Sequence, residues 1–141
     1  MMNTRYKTRY THDKKWLHHE LTEKIIGCCY CVHNDLGSGH KESVYKNALA
    51  KEFKKENILY KEEVVLLVKY KNENVGVYRA DFIVDNKILL EIKAVEFMPK
   101  TYETQLLYYL KSTGYNLGLL INFGAKKVQI RRRIWTPALR D

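Results

Sequence analysis

Leu17, Leu21, Ile25, Cys28, Cys29, Val32 and Leu36 recur at steps of three and four residues. That spacing gathers apolar side chains on one face of an α-helix. "GSG" at 37–39 breaks the pattern. A second helix is predicted from about Lys41 to Asn57, with Tyr45, Leu49 and Phe53 as its inward stripe and Ala48 alongside. Glu42 falls three residues before Tyr45 and seven before Leu49, so it shares that stripe at the first turn. Extended segments are predicted at about 60–70, 75–84 and 87–95. A third helix runs over 101–113 and ends at Gly114, with Tyr102, Leu106, Tyr109, Leu110 and Thr113 facing inward and Gln105 on the rim. "NLGLLINF" reads as a fully buried strand. Gly124 then turns the chain into a last strand, where Val128, Ile130 and Ile134 alternate with Lys127, Gln129, Arg131 and Arg133. The order helix, helix, three strands, helix, two strands predicts an α/β fold with a mixed central sheet flanked by helices.

Parity sharpens the hairpin formed by the second and third strands. With "DNK" at 85–87 as a three-residue loop, Val84 faces Ile88. One sheet face then holds the pairs Val84/Ile88, Phe82/Leu90 and Ala80/Ile92; the other holds Ile83/Leu89, Asp81/Glu91 and Arg79/Lys93. A two-residue loop would set Asp81 beside Leu90, so the sorted register is preferred. It brings two carboxylates face to face, which destabilises a sheet unless something compensates. Arg79 and Lys93 next door would make an exposed, self-neutralising face; a divalent cation held between Asp81 and Glu91 would make a site. The hairpin alone leaves both open.

The 141-residue chain is expected to form one domain over 16–141, preceded by a flexible basic arm at 1–15. Its apolar runs, such as "VVLLV" and "LGLLI", are too short to cross a bilayer, and the N-terminus lacks a signal-peptide core. Three cysteines crowded into "CCYC" make no disulfide framework and lack the paired spacing of a zinc site; they point to reduced thiols and a cytoplasmic location. Lys plus Arg at 25 against Asp plus Glu at 16 leaves a net charge of +9, which favours a polyanionic partner. Nucleic acid comes first and an acidic membrane surface second, and no membrane partner is expected.

Asp81, the Glu91-Ile92-Lys93 triplet about ten residues on, both at the ends of a hairpin, and the element order around them resemble the PD-(D/E)XK nuclease superfamily. Gln105 and Tyr109 resemble a Q-x-x-x-Y helix motif found in several of its branches. "GHKESVY" at 39–45, with Gly39, Glu42 and Tyr45 in register, is similar to the signature of the GxxExxY proteins within that superfamily. The resemblance spans about residues 20–135; a proline often found before the first aspartate is replaced by alanine in "YRAD". It implies a restriction-endonuclease-like core and metal-dependent hydrolysis of a phosphodiester, in DNA before RNA, with Mg²⁺ or Mn²⁺ as cofactor.

That chemistry needs a cation to neutralise charge at phosphorus and to activate water. Mg²⁺ prefers hard oxygen ligands. Under the resemblance, Asp81, Glu91 and the Ile92 backbone carbonyl bind the metal, with Glu42 as a third acid, direct or through water. Lys93 shares a strand face with Glu91 and is expected to orient or deprotonate water or to stabilise the phosphate. Gln105 would hydrogen-bond water, Lys93 or phosphate, with Tyr109 steadying it on the nucleic-acid side. Tyr45 is expected to pack rather than react. Arg79, Lys100, Arg131 and Arg133 are candidate phosphate contacts or, equally, a solubilising face. Two further readings compete: a nucleic-acid-binding or regulatory module that keeps the fold without turnover, and, far behind, a glycosidase acid pair, which gives no use to Lys93. Oligomeric state stays open, a homodimer included.

Overall fold

A computed structural model describes residues 17–136; the basic arm expected at 1–15 lies outside them. The chain runs α1 (His19–Leu36), α2 (Glu42–Lys55), β1 (Tyr60–Tyr70), β2 (Glu73–Val84), β3 (Ile88–Lys93), α3 (Lys100–Thr113), β4 (Leu117–Asn122) and β5 (Gln129–Ile134). The strands lie in the order β1-β2-β3-β4-β5, antiparallel except for the parallel pair β3–β4. A parallel pair needs a crossover, and α3 supplies it.

Helices cover both faces of the sheet, which sorts the apolar residues into two layers. On one side Ile25, Cys28, Cys29 and Val32 of α1 and Tyr45, Leu49 and Phe53 of α2 pack on Phe82, Val84, Ile88, Leu90, Ile92 and alternate residues of β4. On the other, Leu106 and Leu110 of α3 pack on Tyr78, Ala80, Ile83, Leu89 and Leu120. Because β4 is covered on both sides, all of Leu117–Asn122 is buried. Cys28 and Cys29 are core hydrophobes, and burial raises the pKa of both thiols, that of Cys28 to about 11. No helix among the described residues is long and apolar enough to cross a membrane.

The "DNK" loop has the expected length: Val84 pairs with Ile88, Ile83 with Leu89 and Phe82 with Leu90, while Asp85 and Asn86 take left-handed backbone. The register stops there, however. Ala80/Ile92, Asp81/Glu91 and Arg79/Lys93 do not pair as the parity argument expected. Arg79 instead faces Val65 of β1, and Lys93 faces Asn122 of β4. Ala80 packs on the α3 side with Ile83, three residues on, so strict alternation fails at Asp81. Its cause lies in β1. Glu63, opposite Asp81 between the Glu62–Phe82 and Val64–Ala80 pairs, takes a left-handed φ of 50°, and the Glu63–Asp81 rung is missing from the ladder.

Downstream of Lys93, the buried Asn122 ties the strand exit to the β4–β5 corner. Its Oδ1 accepts from Val95 N–H at 2.9 Å and Gly124 N–H at 3.0 Å, while its Nδ2 donates to the Val95 carbonyl at 2.8 Å. Only glycine fits at 124, since a Cβ there would stand 2.3 Å from the Val95 nitrogen. Asn122→Ala strands these partly buried backbone groups and is expected to cost about 1–3 kcal/mol, read as a lower urea midpoint at unchanged m-value; an unchanged midpoint would refute the stapling role.

Candidate active site

Beyond the Phe82–Leu90 rung, β2 continues beside β1 while β3 continues beside β4, so the sheet opens into a notch. Asp81 is the first β2 residue past that rung. Its Oδ2 accepts the Ile92 N–H at 2.7 Å, doing with a side chain what a backbone carbonyl does in a ladder. Oδ1 lies 3.1 Å from the Lys46 ammonium of α2, which also bonds Glu63. The left-handed turn at Glu63 thus brings a second acid to the lysine that holds Asp81.

Glu91 is held from the other side. The Tyr78 hydroxyl donates to its Oε1, and Lys93 Nζ lies 3.9 Å from its Oε2. Tyr78 stacks on Tyr109 of α3, with ring centroids 3.7 Å apart, and the Lys93 ammonium sits 4.6 Å from the Tyr102 ring centroid. The acids therefore approach the notch from both faces of the sheet, with Asp81 bound toward α2 and Glu91 toward α3.

They still feel one another. Burial first, and then the charge of Asp81, push the Glu91 carboxyl up to about 7, against the opposing pull of the Tyr78 bond and Lys93. Glu42 is raised by partial desolvation at the notch and then by Asp81, with Lys93 and Lys46 opposing. For Lys46, burial favours the neutral amine, but the bonds to Glu63 and Asp81 outweigh it and raise its pKa. Burial and the neighbouring Glu91 raise the Tyr78 hydroxyl, which keeps it a proton donor.

The sequence placed Glu42 on the inward stripe of α2; the residue is exposed, because α2 begins there and its first turn overhangs the notch rather than the core. Tyr45, one turn on, is the buried member. Its hydroxyl donates to the Gly37 carbonyl at 2.5 Å and accepts from His40 N–H at 3.2 Å, and its ring stacks on Phe123 with centroids 4.8 Å apart. Tyr45 thus fixes the loop from which Glu42 emerges. Ile92 gives its N–H to Asp81 and buries its side chain in the core. Gln105, Lys100 and Arg79 are exposed. Arg131 and Arg133 both grip Glu103 of α3, Arg131 Nε at 3.1 Å from Oε1, so β5 clasps the helix with two of the expected phosphate contacts.

Lys46, Glu63, Tyr78 and Tyr102 went unassigned from sequence. Lys46 had a usable signal, since it stands four residues after Glu42 and so on the same helix face. Tyr78 had none, because the break in alternation at Asp81 is what turns it toward Glu91.

Among the described residues, no three His, Cys, Asp or Glu side chains are gathered as a metal cage. The donor chemistry nevertheless fits a hard divalent cation: carboxylates only, mutually repelling and partly desolvated, which is the charge deficit such an ion relieves. Lys46 and Tyr78 now engage the oxygens it would use.

The Glu91 shift has a consequence for stability. Its folded pKa of about 7 exceeds the ordinary glutamate value of 4.5. Between the two, the unfolded carboxyl has lost its proton while the folded one keeps it, so this contribution is complete below about 4.5 and is lost as pH rises through about 7. In EDTA, the urea-unfolding free energy should therefore fall across that window relative to Glu91→Gln. Parallel pH profiles for the two proteins would contradict the shift.

A family model described as the PD-(D/E)XK nuclease superfamily matches residues 19–133. Among solved structures, the crystal structure of SSO0001 superposes with a TM-score of 0.50 at 22% identity, covering 66% of this chain and 50% of that one. An alkaline exonuclease (LHK-Exo) from Laribacter hongkongensis gives a TM-score of 0.49 at 15% identity, covering 69% of this chain and 57% of that one. The chain spans about half the length of these two proteins, and at 22% identity the likeness to SSO0001 is one of fold alone. No curated protein matches.

Proposed function

This chain belongs to the PD-(D/E)XK nuclease superfamily, and from that premise we propose that it is a metal-dependent nuclease of the GxxExxY type, hydrolysing phosphodiester bonds in DNA before RNA. The observation that carries the reading is the notch itself, where Asp81, Glu91 and Glu42 share one electrostatic field beside Lys93. We take Asp81, Glu91 and the Ile92 carbonyl as the residues that hold Mg²⁺ or Mn²⁺, with Glu42 as the third acid. The cation supplies charge neutralisation at the phosphate and activation of water.

The remaining work falls to this chain's own side chains. Tyr78 is a positioning residue: it fixes the Glu91 carboxylate and is itself fixed by Tyr109. The Tyr102 ring steadies the Lys93 ammonium, which stabilises negative charge building on the phosphate. Lys46 holds Asp81 and Glu63, and with a cation on Asp81 it would still have Glu63 as its partner. Gln105, on the exposed rim of α3, is the remaining candidate for contact with water or phosphate. The net charge of +9 draws a polyanion, and Arg79 and Lys100 are its exposed candidate contacts.

With Mn²⁺ or Mg²⁺, nucleic-acid cleavage is expected, abolished by EDTA and reduced at least about a hundredfold in Asp81→Ala, Glu91→Ala and Lys93→Ala. Cleavage indifferent to all three variants would mean that the activity is not this protein's. Tyr78→Phe should lower kcat by about tenfold or more with little change in KM, as loss of a group that orients a ligand does. One observation favours a second reading, a binding module without turnover: Lys46 and Tyr78 already occupy the acids. That reading requires salt-sensitive binding unaltered by EDTA and no cleavage with either metal.

A further inference from the structure

The β1–β2 hairpin outruns the rest of the sheet. β3 pairs with β2 only at 82–84, whereas β1 stays with β2 out to the Tyr70–Glu73 pair. One face of this extension, with Val64, Leu66, Val68, Tyr78 and Ala80, packs in the layer built on α3. The opposite face is the one that Asp81 shares, and α2 reaches it only as far as the contact of Lys46 with Glu63. Beyond that contact stand Val65, Leu67 and Val77, exposed by 51%, 46% and 69%, followed by Val75, 59% exposed, which has no partner where the β1–β2 register shifts. Four exposed aliphatic residues on adjoining strands form a patch, which single surface hydrophobics do not.

We propose that this strip is a platform for the unpaired bases of a single-stranded nucleic acid whose backbone leads into the Asp81 notch. The proposal rests on the nuclease reading and adds the substrate class to it. Arg79 separates the notch from the strip and is exposed, suited to a phosphate next to the one attacked. Lys69 and Lys71 stand at the far end beside Tyr70, itself 60% exposed. From Arg79 to Val75 the strand covers about 13 Å at about 3.3 Å per residue, room for roughly four bases at the 3.4 Å spacing of a stack. A duplex presents phosphates and groove edges and so offers an aliphatic strip little, whereas a single strand exposes the faces of its bases.

A second copy of the chain fits less well. A two-fold pairing of β1 edge to edge keeps the same face outward in both copies, which doubles the exposed strip instead of burying it. Packing the strips face to face brings the cationic ends, Arg79 and the tip lysines, into the same interface.

The test uses the full chain, with Leu67→Glu/Val77→Glu as the disruptive variant and Val77→Thr as a mild one that preserves strand propensity. Circular dichroism checks that both fold. In EDTA, fluorescence anisotropy with labelled dT12, rU12 and a 12-base-pair DNA duplex should show the wild type preferring the single strands. The double variant should lose at least about tenfold in single-strand affinity, Val77→Thr less, with duplex binding changed far less. Comparison of dT12 with rU12 tells DNA from RNA. With Mn²⁺, the double variant should still hydrolyse bis(p-nitrophenyl) phosphate at the wild-type rate, since that small diester needs no strip, while its KM for a single strand rises. Unchanged single-strand affinity in the double variant overturns the platform, as does a wild type that prefers duplex. A dimer that the double variant disrupts, seen by light scattering with strand affinity intact, also overturns it and makes the strip a self-association face. Absence of cleavage of any diester by the wild type would instead defeat the nuclease reading, while the anisotropy measurements still decide the platform.

Discussion

One side-chain hydrogen bond governs the architecture: the Asp81 carboxylate takes the Ile92 N–H that a β2 carbonyl would otherwise accept. A buried N–H must be paired, so a strand can leave a ladder only where something else accepts the bond. With Asp81 in that role, β2 swings away with β1, β3 stays with β4, and a notch opens inside a sheet that would otherwise be closed. The residue that permits the opening is also the acid that lines it. The left-handed step at Glu63 completes the change, since without it the alternation of β2 would carry on and turn Asp81 to the same side as Ile83.

From that opening follows the division of labour between the helices. Each supports the acid on its own side: α2 sends Lys46 to Asp81, and α3 sends Tyr109 against Tyr78, which holds Glu91. Neither support would be needed in a solvated charged face, where long side chains are free and surface pairs contribute little. Here the acids are partly desolvated and push on each other, so each is held by a bond that fixes its direction. The cost in stability is local, and a cation between the acids would remove it. Departures from ordinary folding rules concentrate at such places.

The periodic elements were legible because burial alone dictates them. The helix stripes, the fully apolar β4 and the three-residue hairpin loop each follow from one-dimensional spacing. What escaped was set by contacts between elements. Strict alternation predicted Ala80 on the α2 side, and the skip at Glu63 reversed it; a glutamate inside a strand-like run carries no sign that its φ is positive. Arg131 and Arg133 of β5 looked like phosphate ligands because charge alone does not reveal a partner. Glu103, on a helix nearly thirty residues earlier, supplies one. Glu42 was drawn to the correct stripe but at the wrong depth, since a helix's first turn overhangs whatever lies at its end.

Tyr45 makes the same point from the opposite direction. It was expected to pack, and it does, yet its packing is what fixes Glu42. The ring is clamped on Phe123 and the hydroxyl bonds both sides of the Gly37–His40 turn, so α2 can start only where it does. Phe123 in turn is bonded through its N–H to the Lys93 carbonyl at 2.8 Å, one strand from the notch. The end of the acid-bearing strand, the buried β4 and the start of the glutamate-bearing helix are thereby one rigid unit. A tyrosine three residues after a glutamate is therefore tied to the geometry of the notch: it sets the angle from which Glu42 arrives, and a smaller residue would leave the helix start without a fixed reference to the sheet.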